Sequence, residues 1–176
     1  LFLFSWRYIN FSISNQFYTI CERFGINFKK FRKNMIDGYD RNKSMPKAGF
    51  AAGPCLYKDT AQLNSFLQNS FTLGIAATKI NQGFPKFIYS KMKNKFKKKL
   101  KSKKIGILGA AFKSDIDDIR DSLSIDLYNF LKKKGLNISI SDEYVKMDKI
   151  IDKKQLIKKS DIIILGVPHS SYKKIK

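Results

Sequence analysis

The chain has 176 residues, of which 43% are hydrophobic and 15 are Phe, which suffices for a buried core in one or two domains. This composition excludes a disordered tail, and the absence of an uncharged apolar run of about 18 residues predicts no membrane partner. The formal net charge of +21 comes mostly from Lys residues spread along the chain beside many Ile, Asn and Phe residues. We interpret the charge as a compositional bias and predict no nucleic-acid partner, although a basic nucleic-acid binder remains a rival that rests on charge alone.

Helical periodicity predicts two helices in the first forty residues. Over 8–24, apolar residues recur at spacings of three, four or their sums, which indicates one buried helical face, and Gly25 ends that helix. Phe28 to Ile36 is a short second helix ending at Gly38. The stretch 40–54 is rich in Gly, Pro, Asn and Ala without periodicity and is predicted to be a long loop. The apolar face of the first helix is Ile9, Ile13, Phe17, Ile20, Cys21 and Phe24.

A further helical pattern runs over 61–92, with predicted breaks near Asn69 and Ser70 and near Gly83 and Pro85. The stretch 91–104 holds nine lysines and is typical of a solvated helix end followed by a linker. Residues 1–91 are therefore predicted to be helix and loop, and 92–104 a Lys-rich linker.

Strands and helices alternate after the linker. The sequence predicts strands over 104–109, 137–141 and 161–167, and helices over 122–134 and 153–159. This order predicts an α/β domain over 105–176 with a parallel, doubly wound sheet, cut short soon after its third strand.

The segment from Gly49 to Asp59 carries the strongest chemical signal. Cys55 follows a Gly-rich loop and is predicted to lie just before a helix, where backbone amides and the positive helix end favour a thiolate. Lys58 and Asp59 follow within one turn and supply a cation and a candidate base. A small buried Cys between Pro54 and Leu56 is the alternative explanation from these residues alone.

Two segments resemble the nucleotide-sugar 6-dehydrogenases of the UDP-glucose/GDP-mannose dehydrogenase family. Gly-Phe-Ala-Ala-Gly-Pro-Cys-Leu-Tyr-Lys-Asp at 49–59 is similar to the family's active-site signature, and Leu-Gly-Ala-Ala-Phe-Lys at 108–113 with the acidic run and Arg120 that follow is similar to a second family motif. The resemblance extends to the central helix over 10–26 and to Asp40-Arg41. It implies a helical dimerisation domain and a truncated Rossmann-like UDP-binding domain. The function that the resemblance implies is the NAD-dependent oxidation of a UDP-sugar to its uronic acid.

The resemblance also implies a role for each matching residue. Cys55 would attack the sugar aldehyde to give a thiohemiacetal and then a thioester, Asp59 would position or activate the hydrolytic water, and Lys58 would steady nearby negative charge. Residues implied to contact the substrate are Arg41, which would reach the sugar in a neighbouring subunit, Gly53 and Lys113. Arg120 would lie near the NAD cofactor.

Other residues are assigned to structure. Gly106-Ile-Leu-Gly109 lacks the full dinucleotide fingerprint, and Asp142 lies beyond the expected spacing of about 20 residues, so a degenerate Rossmann fold that binds UDP rather than NAD is expected. His169 is predicted to be a structural or surface residue and Cys21 a core residue. Two distant cysteines predict reduced thiols and no metal site.

The leading hypothesis is a cytoplasmic homodimeric fragment of a UDP-sugar dehydrogenase that acts on UDP-glucose or a UDP-N-acetylhexosamine. The family's NAD-binding domain is expected before residue 1 and is absent from this sequence. For that reason a catalytically inactive remnant, or a nucleotide-binding module, is the alternative function.

Overall fold

A computed structural model describes residues 1–175 of the chain. The chain forms two compact units, one made of Leu1–Ala51 and Cys55–Phe84 and the other of Ala52–Pro54 and Pro85–Lys176. Among the described residues, no helix is both long and apolar enough to cross a membrane.

The described residues of the first unit form helices and loops and no strand, as the sequence predicts. Its helices are α1 (Phe2–Arg23), α2 (Phe28–Ile36), α3 (Pro54–Phe66) and α4 (Thr72–Phe96), which continues into the second unit, and a short 3-10 helix covers Asp40–Asn42. The predicted bounds of α2 are confirmed. The helix begins at Phe28 because the Asn27 side chain accepts a hydrogen bond from the Lys30 N–H and caps its start.

The buried face of α1 differs from the prediction. Ile13 and Ile20 are 44% and 43% exposed, and Phe24 is 70% exposed. The helix also begins earlier, at Phe2, and its buried positions are mostly polar: Ser5, Tyr8, Ser12, Ser14, Asn15 and Cys21. Periodicity identified the helix but not its inward face, because hydrogen bonds let small polar side chains take the buried positions. The core assignment of Cys21, which is 3% exposed, is confirmed.

Two predicted features of the later helices are wrong. Helix α3 begins at Pro54 rather than near residue 61, since proline is favoured at the first helical position. Helix α4 has no break at Gly83 or Pro85 and runs unbroken to Phe96. An internal proline costs about 3 kcal/mol, and burial of apolar residues on both sides of it, Phe84 and Met92, offsets that cost.

The second unit contains a three-stranded parallel sheet, which confirms the predicted fold class. The strands are β1 (Lys104–Leu108), β2 (Asn137–Ser141) and β3 (Ile162–Leu165), in the order β2-β1-β3. Helices α5 (Leu123–Lys133) and α6 (Lys153–Lys159) connect them. The Lys-rich stretch before β1 ends α4 and forms a 3-10 helix over Lys97–Ser102.

The central strand is buried on both faces, as expected for a parallel sheet. Glycine is required within it, because a Cβ at Gly106 would lie 2.4 Å from a methyl carbon of Leu156 on α6. The carboxyl ends of the strands lead into the loops over 109–122 and 166–170, which hold several of the candidate site residues.

Candidate functional site

Cys55 is a free, exposed thiol in the first turn of α3. It therefore lies inside the helix, one residue after Pro54, rather than just before the helix as predicted. The amide groups of a first helical turn have no partner within the helix and carry its positive dipole end. Exposure and this position suit a nucleophile, and they exclude the alternative that Cys55 is a small buried core residue.

Asp59 lies one turn after Cys55, so the two side chains share one face of α3. Its side chain is only 12% exposed, and Oδ1 lies 3.5 Å from the Lys58 ammonium nitrogen. The nitrogen of Leu1 lies 3.6 Å from Oδ2. The helix thus places a thiol, a nearly buried carboxylate and an exposed ammonium group within two turns.

A buried hydrogen-bond network holds the loop that precedes α3. The side chain of Asn15 accepts from the Gly49 N–H at 2.8 Å and donates to the Gly49 carbonyl oxygen at 3.0 Å. It also donates to the side-chain oxygen of Asn81 at 2.9 Å, and Asn81 in turn donates to the Tyr8 carbonyl. The sequence analysis missed this role, because several small polar residues of α1 are buried and periodicity does not distinguish Asn15 among them.

Gly53 belongs to the second unit, where the Phe112 ring packs directly against it. A Cβ at Gly53 would lie 2.6 Å from a ring carbon of Phe112, and the backbone φ of +102° is itself unfavourable for other residues. The Gly53 N–H also donates to the Asp121 carbonyl oxygen at 3.3 Å. These contacts fix the segment Ala52–Pro54 to the loop that follows β1 within the second unit.

Lys113 and Arg120 lie on that same loop and are both exposed. The Lys113 ammonium nitrogen lies 6.0 Å from the centroid of the Phe112 ring. Arg120 forms a bidentate ion pair with Asp118, and hydrogen bonds from Arg120 hold the pKa of Asp118 below its usual range. The structure therefore brings Gly53 and Lys113 together around one aromatic ring, and it pairs Arg120 with a neighbouring acid.

Arg41 is exposed on the 3-10 helix over Asp40–Asn42 in the first unit. Among the contacts described for residues 1–175, none joins its guanidinium group to Cys55 or Asp59. The structure does not assemble Arg41 with the other candidate site residues of this unit.

The carboxylate of Asp142, after β2, reaches the backbone amides that follow β1, where a dinucleotide-binding fold would hold phosphate. Its buried carboxylate accepts hydrogen bonds from the N–H groups of Ala110 and Ala111, which follow β1, and from those of Tyr144 and Val145. Burial disfavours the charged form, but these backbone donors and His169 outweigh it and lower the pKa of Asp142. Because an internal carboxylate takes these two amides, the described residues do not fit the pyrophosphate of NAD here.

His169 is fully buried in the same network, which supports the prediction of a structural role. Its Nδ1 accepts a hydrogen bond from the Asp115 N–H at 2.9 Å, so the ring proton is on Nε2, 2.9 Å from the Asp142 carboxylate. Ser170 donates to Asp115 and lowers the pKa of that carboxyl. The network ties the loop that bears Lys113 to the loop after β3.

The fold and these sites define a class of protein: a helical unit with an exposed thiol at a helix start, and a Rossmann-like unit whose usual dinucleotide site is filled from within. Residues 2–83 match the central domain of the UDP-glucose/GDP-mannose dehydrogenase family, and residues 106–176 match its UDP binding domain. The chain therefore belongs to the UDP-glucose/GDP-mannose dehydrogenase family.

Known relatives are UDP-sugar dehydrogenases. A UDP-glucose 6-dehydrogenase of Rickettsia bellii is 29% identical over 73% of this chain, and a UDP-N-acetyl-D-mannosamine dehydrogenase of Methanococcus maripaludis is 25% identical over 98%. The chain covers 30% and 40% of these two proteins. The crystal structure of an NDP-N-acetyl-D-galactosaminuronic acid dehydrogenase from Methanosarcina mazei matches 98% of the chain and 41% of that protein with a TM-score of 0.86 at 24% identity, which shows a shared fold.

Proposed function

We propose that this chain provides the nucleophile and the UDP-binding domain for NAD-dependent oxidation of a UDP-sugar to its uronic acid. The observation that carries the proposal is the exposed Cys55 in the first turn of α3, one turn from the nearly buried Asp59. UDP-glucose and UDP-N-acetylhexosamines are the candidate substrates, because the relatives named above act on sugars of these kinds.

The proposed contribution of Cys55 is covalent. Its thiolate adds to the aldehyde carbon at position 6 of the sugar, a carbon–sulfur bond forms, and the carbonyl oxygen takes up a proton to give a thiohemiacetal. This bond retains the aldehyde until it has been oxidised to the thioester. Water then attacks the thioester carbonyl, Asp59 accepts a proton from that water, and the Cys55 thiolate leaves as the uronic acid forms.

The remaining site residues are proposed to bind. Lys113 would contact the nucleotide-sugar, with Gly53 and Phe112 fixing the position of its loop, and Arg41 would reach the sugar of a neighbouring subunit through its fork of donors. Arg120 would lie near the cofactor. NAD accepts hydride when bound, and we propose that it is bound mainly by residues outside this chain, since the chain covers less than half of its relatives and Asp142 fills the internal site.

Differential alkylation tests the role of Cys55. Iodoacetamide at neutral pH should modify Cys55 much faster than buried Cys21, and a saturating UDP-sugar should protect Cys55, as read by peptide mass spectrometry. Cys21 is the matched internal control. A Cys55 no more reactive than free N-acetylcysteine, and unprotected by UDP-sugars, would contradict a catalytic role.

Turnover is tested by adding a separate NAD-binding domain. Mixed with a separately produced NAD-binding domain of a relative, the chain should form NADH from a UDP-sugar, and Cys55→Ser should abolish this while Cys21→Ala should not. UDP binding without thiol reactivity or NADH formation would instead favour the alternative, a catalytically inactive nucleotide-binding remnant. We also propose a cytoplasmic location, which the use of nucleotide-sugars and reduced thiols favours.

A further inference from the structure

A cavity of about 760 Å³ lies in the second unit beside the end of α4. Among the described residues, five lysines and no acidic residue line it. Among residues 1–175, none of the five forms an ion pair, so their mutual repulsion is relieved only by solvent ions or by a bound anion. The lysines are Lys93, Lys97, Lys98, Lys101 and Lys134.

The wall of this cavity is apolar and partly aromatic. Tyr89, Leu100 and Leu136 line it, and the two leucines are almost fully buried. The Tyr89 ring is held edge-to-face against Phe130, with centroids 5.5 Å apart. An ordered aromatic ring beside a basic rim suits a ligand that carries an aromatic base as well as negative charge.

The backbone at Lys97 positions the lysine-rich segment beside the cavity. Its φ is +49°, a left-handed conformation that is uncommon for residues other than Gly, Asn and Asp. This conformation turns the chain between α4 and the following 3-10 helix and directs the lysine-rich segment around the cavity. A left-handed residue directly after the last residue of a helix is a common way for a helix to end.

The cavity lies at the amino ends of the strands, whereas the proposed UDP site lies at their carboxyl ends. Leu100 and Lys101 precede β1 and Leu136 directly precedes β2, whereas Lys113 and His169 follow the carboxyl ends of β1 and β3. The five residues of β1 separate the two ends of the strand by about 16 Å. A ligand in this cavity would therefore leave the proposed UDP site free.

We propose that this cavity binds a nucleoside polyphosphate, with the phosphates among the five lysines and the base against Tyr89. The volume is within the range of about 300–1,000 Å³ that is usual for small-molecule sites. Lysines supply the phosphate contacts as point charges, and the apolar wall offers the base a contact that a free phosphate chain lacks.

Titration calorimetry with ATP on the full chain tests the proposal. The variant Lys97→Glu/Lys101→Glu/Lys134→Glu should lower the affinity for ATP at least about tenfold. The matched control Lys99→Glu/Lys133→Glu/Lys146→Glu changes the net charge equally at exposed lysines outside the cavity and should lower it much less. Tyr89→Leu should weaken ATP binding while leaving the weaker binding of inorganic tripolyphosphate unchanged. Circular dichroism of each variant establishes that it is folded.

Several results would overturn the proposal. These are no ATP binding at millimolar concentration, an equal loss in the cavity and control variants, or tripolyphosphate binding as tightly as ATP. Single-stranded DNA that binds more tightly than ATP and is lost in the same variant would assign the surface to a polymer instead. UDP binding serves as the separate readout of the proposed function, and the cavity variant should leave it unchanged.

Discussion

Replacing Gly53 by Ala should destabilise the second unit by about 2–4 kcal/mol. The φ of +102° costs a residue with a Cβ about 1–3 kcal/mol, and the added carbon, 2.6 Å from the Phe112 ring, adds about 1–3 kcal/mol of overpacking. Rotation of the Phe112 side chain relieves part of the contact, which places the expected sum below the upper limits. The measurement is the free energy of unfolding in urea.

Gly25→Ala is the matched control for Gly53→Ala. Gly25 has a φ of +69°, but a Cβ there would meet no atom within 4 Å, so only the backbone cost of about 1–2 kcal/mol applies. Phe112→Ala should recover part of the loss when combined with Gly53→Ala, and the double-mutant cycle then reports the contact itself. If the free energy of unfolding of Gly53→Ala lies within about 0.5 kcal/mol of that of the original chain, the contact between Gly53 and Phe112 does not fix this segment.

Three further outcomes follow from the buried networks and the exposed helix face. Asn15→Ala should cost at least about 3 kcal/mol in urea unfolding, because it leaves both polar groups of Gly49 and the Asn81 oxygen unpaired; a loss below about 1 kcal/mol would contradict the network. Asp142→Asn should lower the free energy of unfolding by more than about 2 kcal/mol at pH 7. Because the pKa of Asp142 is lowered in the folded state, the stability that this carboxylate contributes is present above about pH 4 and is lost as the pH falls through the lowered pKa. Plots of the free energy of unfolding against pH for the original chain and for Asp142→Asn should therefore converge towards low pH, and parallel plots would refute this. Sedimentation should show a homodimer that Trp6→Glu/Ile13→Glu dissociates and Gln16→Glu does not, since Trp6 and Ile13 are apolar and exposed on α1; a monomer at micromolar concentration would contradict it.

Local signals allowed much of the fold to be predicted. Helix α2, strand β2 and helix α6 have the predicted bounds because stop or cap residues, Asn27, Gly135 and Asp152, lie beside short periodic runs. The start of α3 was missed because Gly53 and Pro54 are typical of a loop, whereas proline is also favoured at the first helical position. Periodicity also cannot distinguish an inward apolar face from an exposed one, as Ile13 and Ile20 show.

The candidate site was predictable only where its residues are adjacent in sequence. Cys55, Lys58 and Asp59 lie on one helix, so their grouping follows from spacing alone. By contrast, Asp142 binds amides more than thirty residues earlier and His169 lies still further along the chain, so no local pattern brings them together. The long-range network of Asp142 and His169 is visible only in the folded structure.

The central proposal is that the second unit binds UDP rather than NAD, and the measurement that tests it most directly is calorimetric titration of the chain with UDP and with NAD. The account predicts that UDP binds in preference to NAD, and that Lys113→Ala weakens UDP binding without lowering the thermal stability of the fold. Binding of NAD as tight as that of UDP, or tighter, would contradict it.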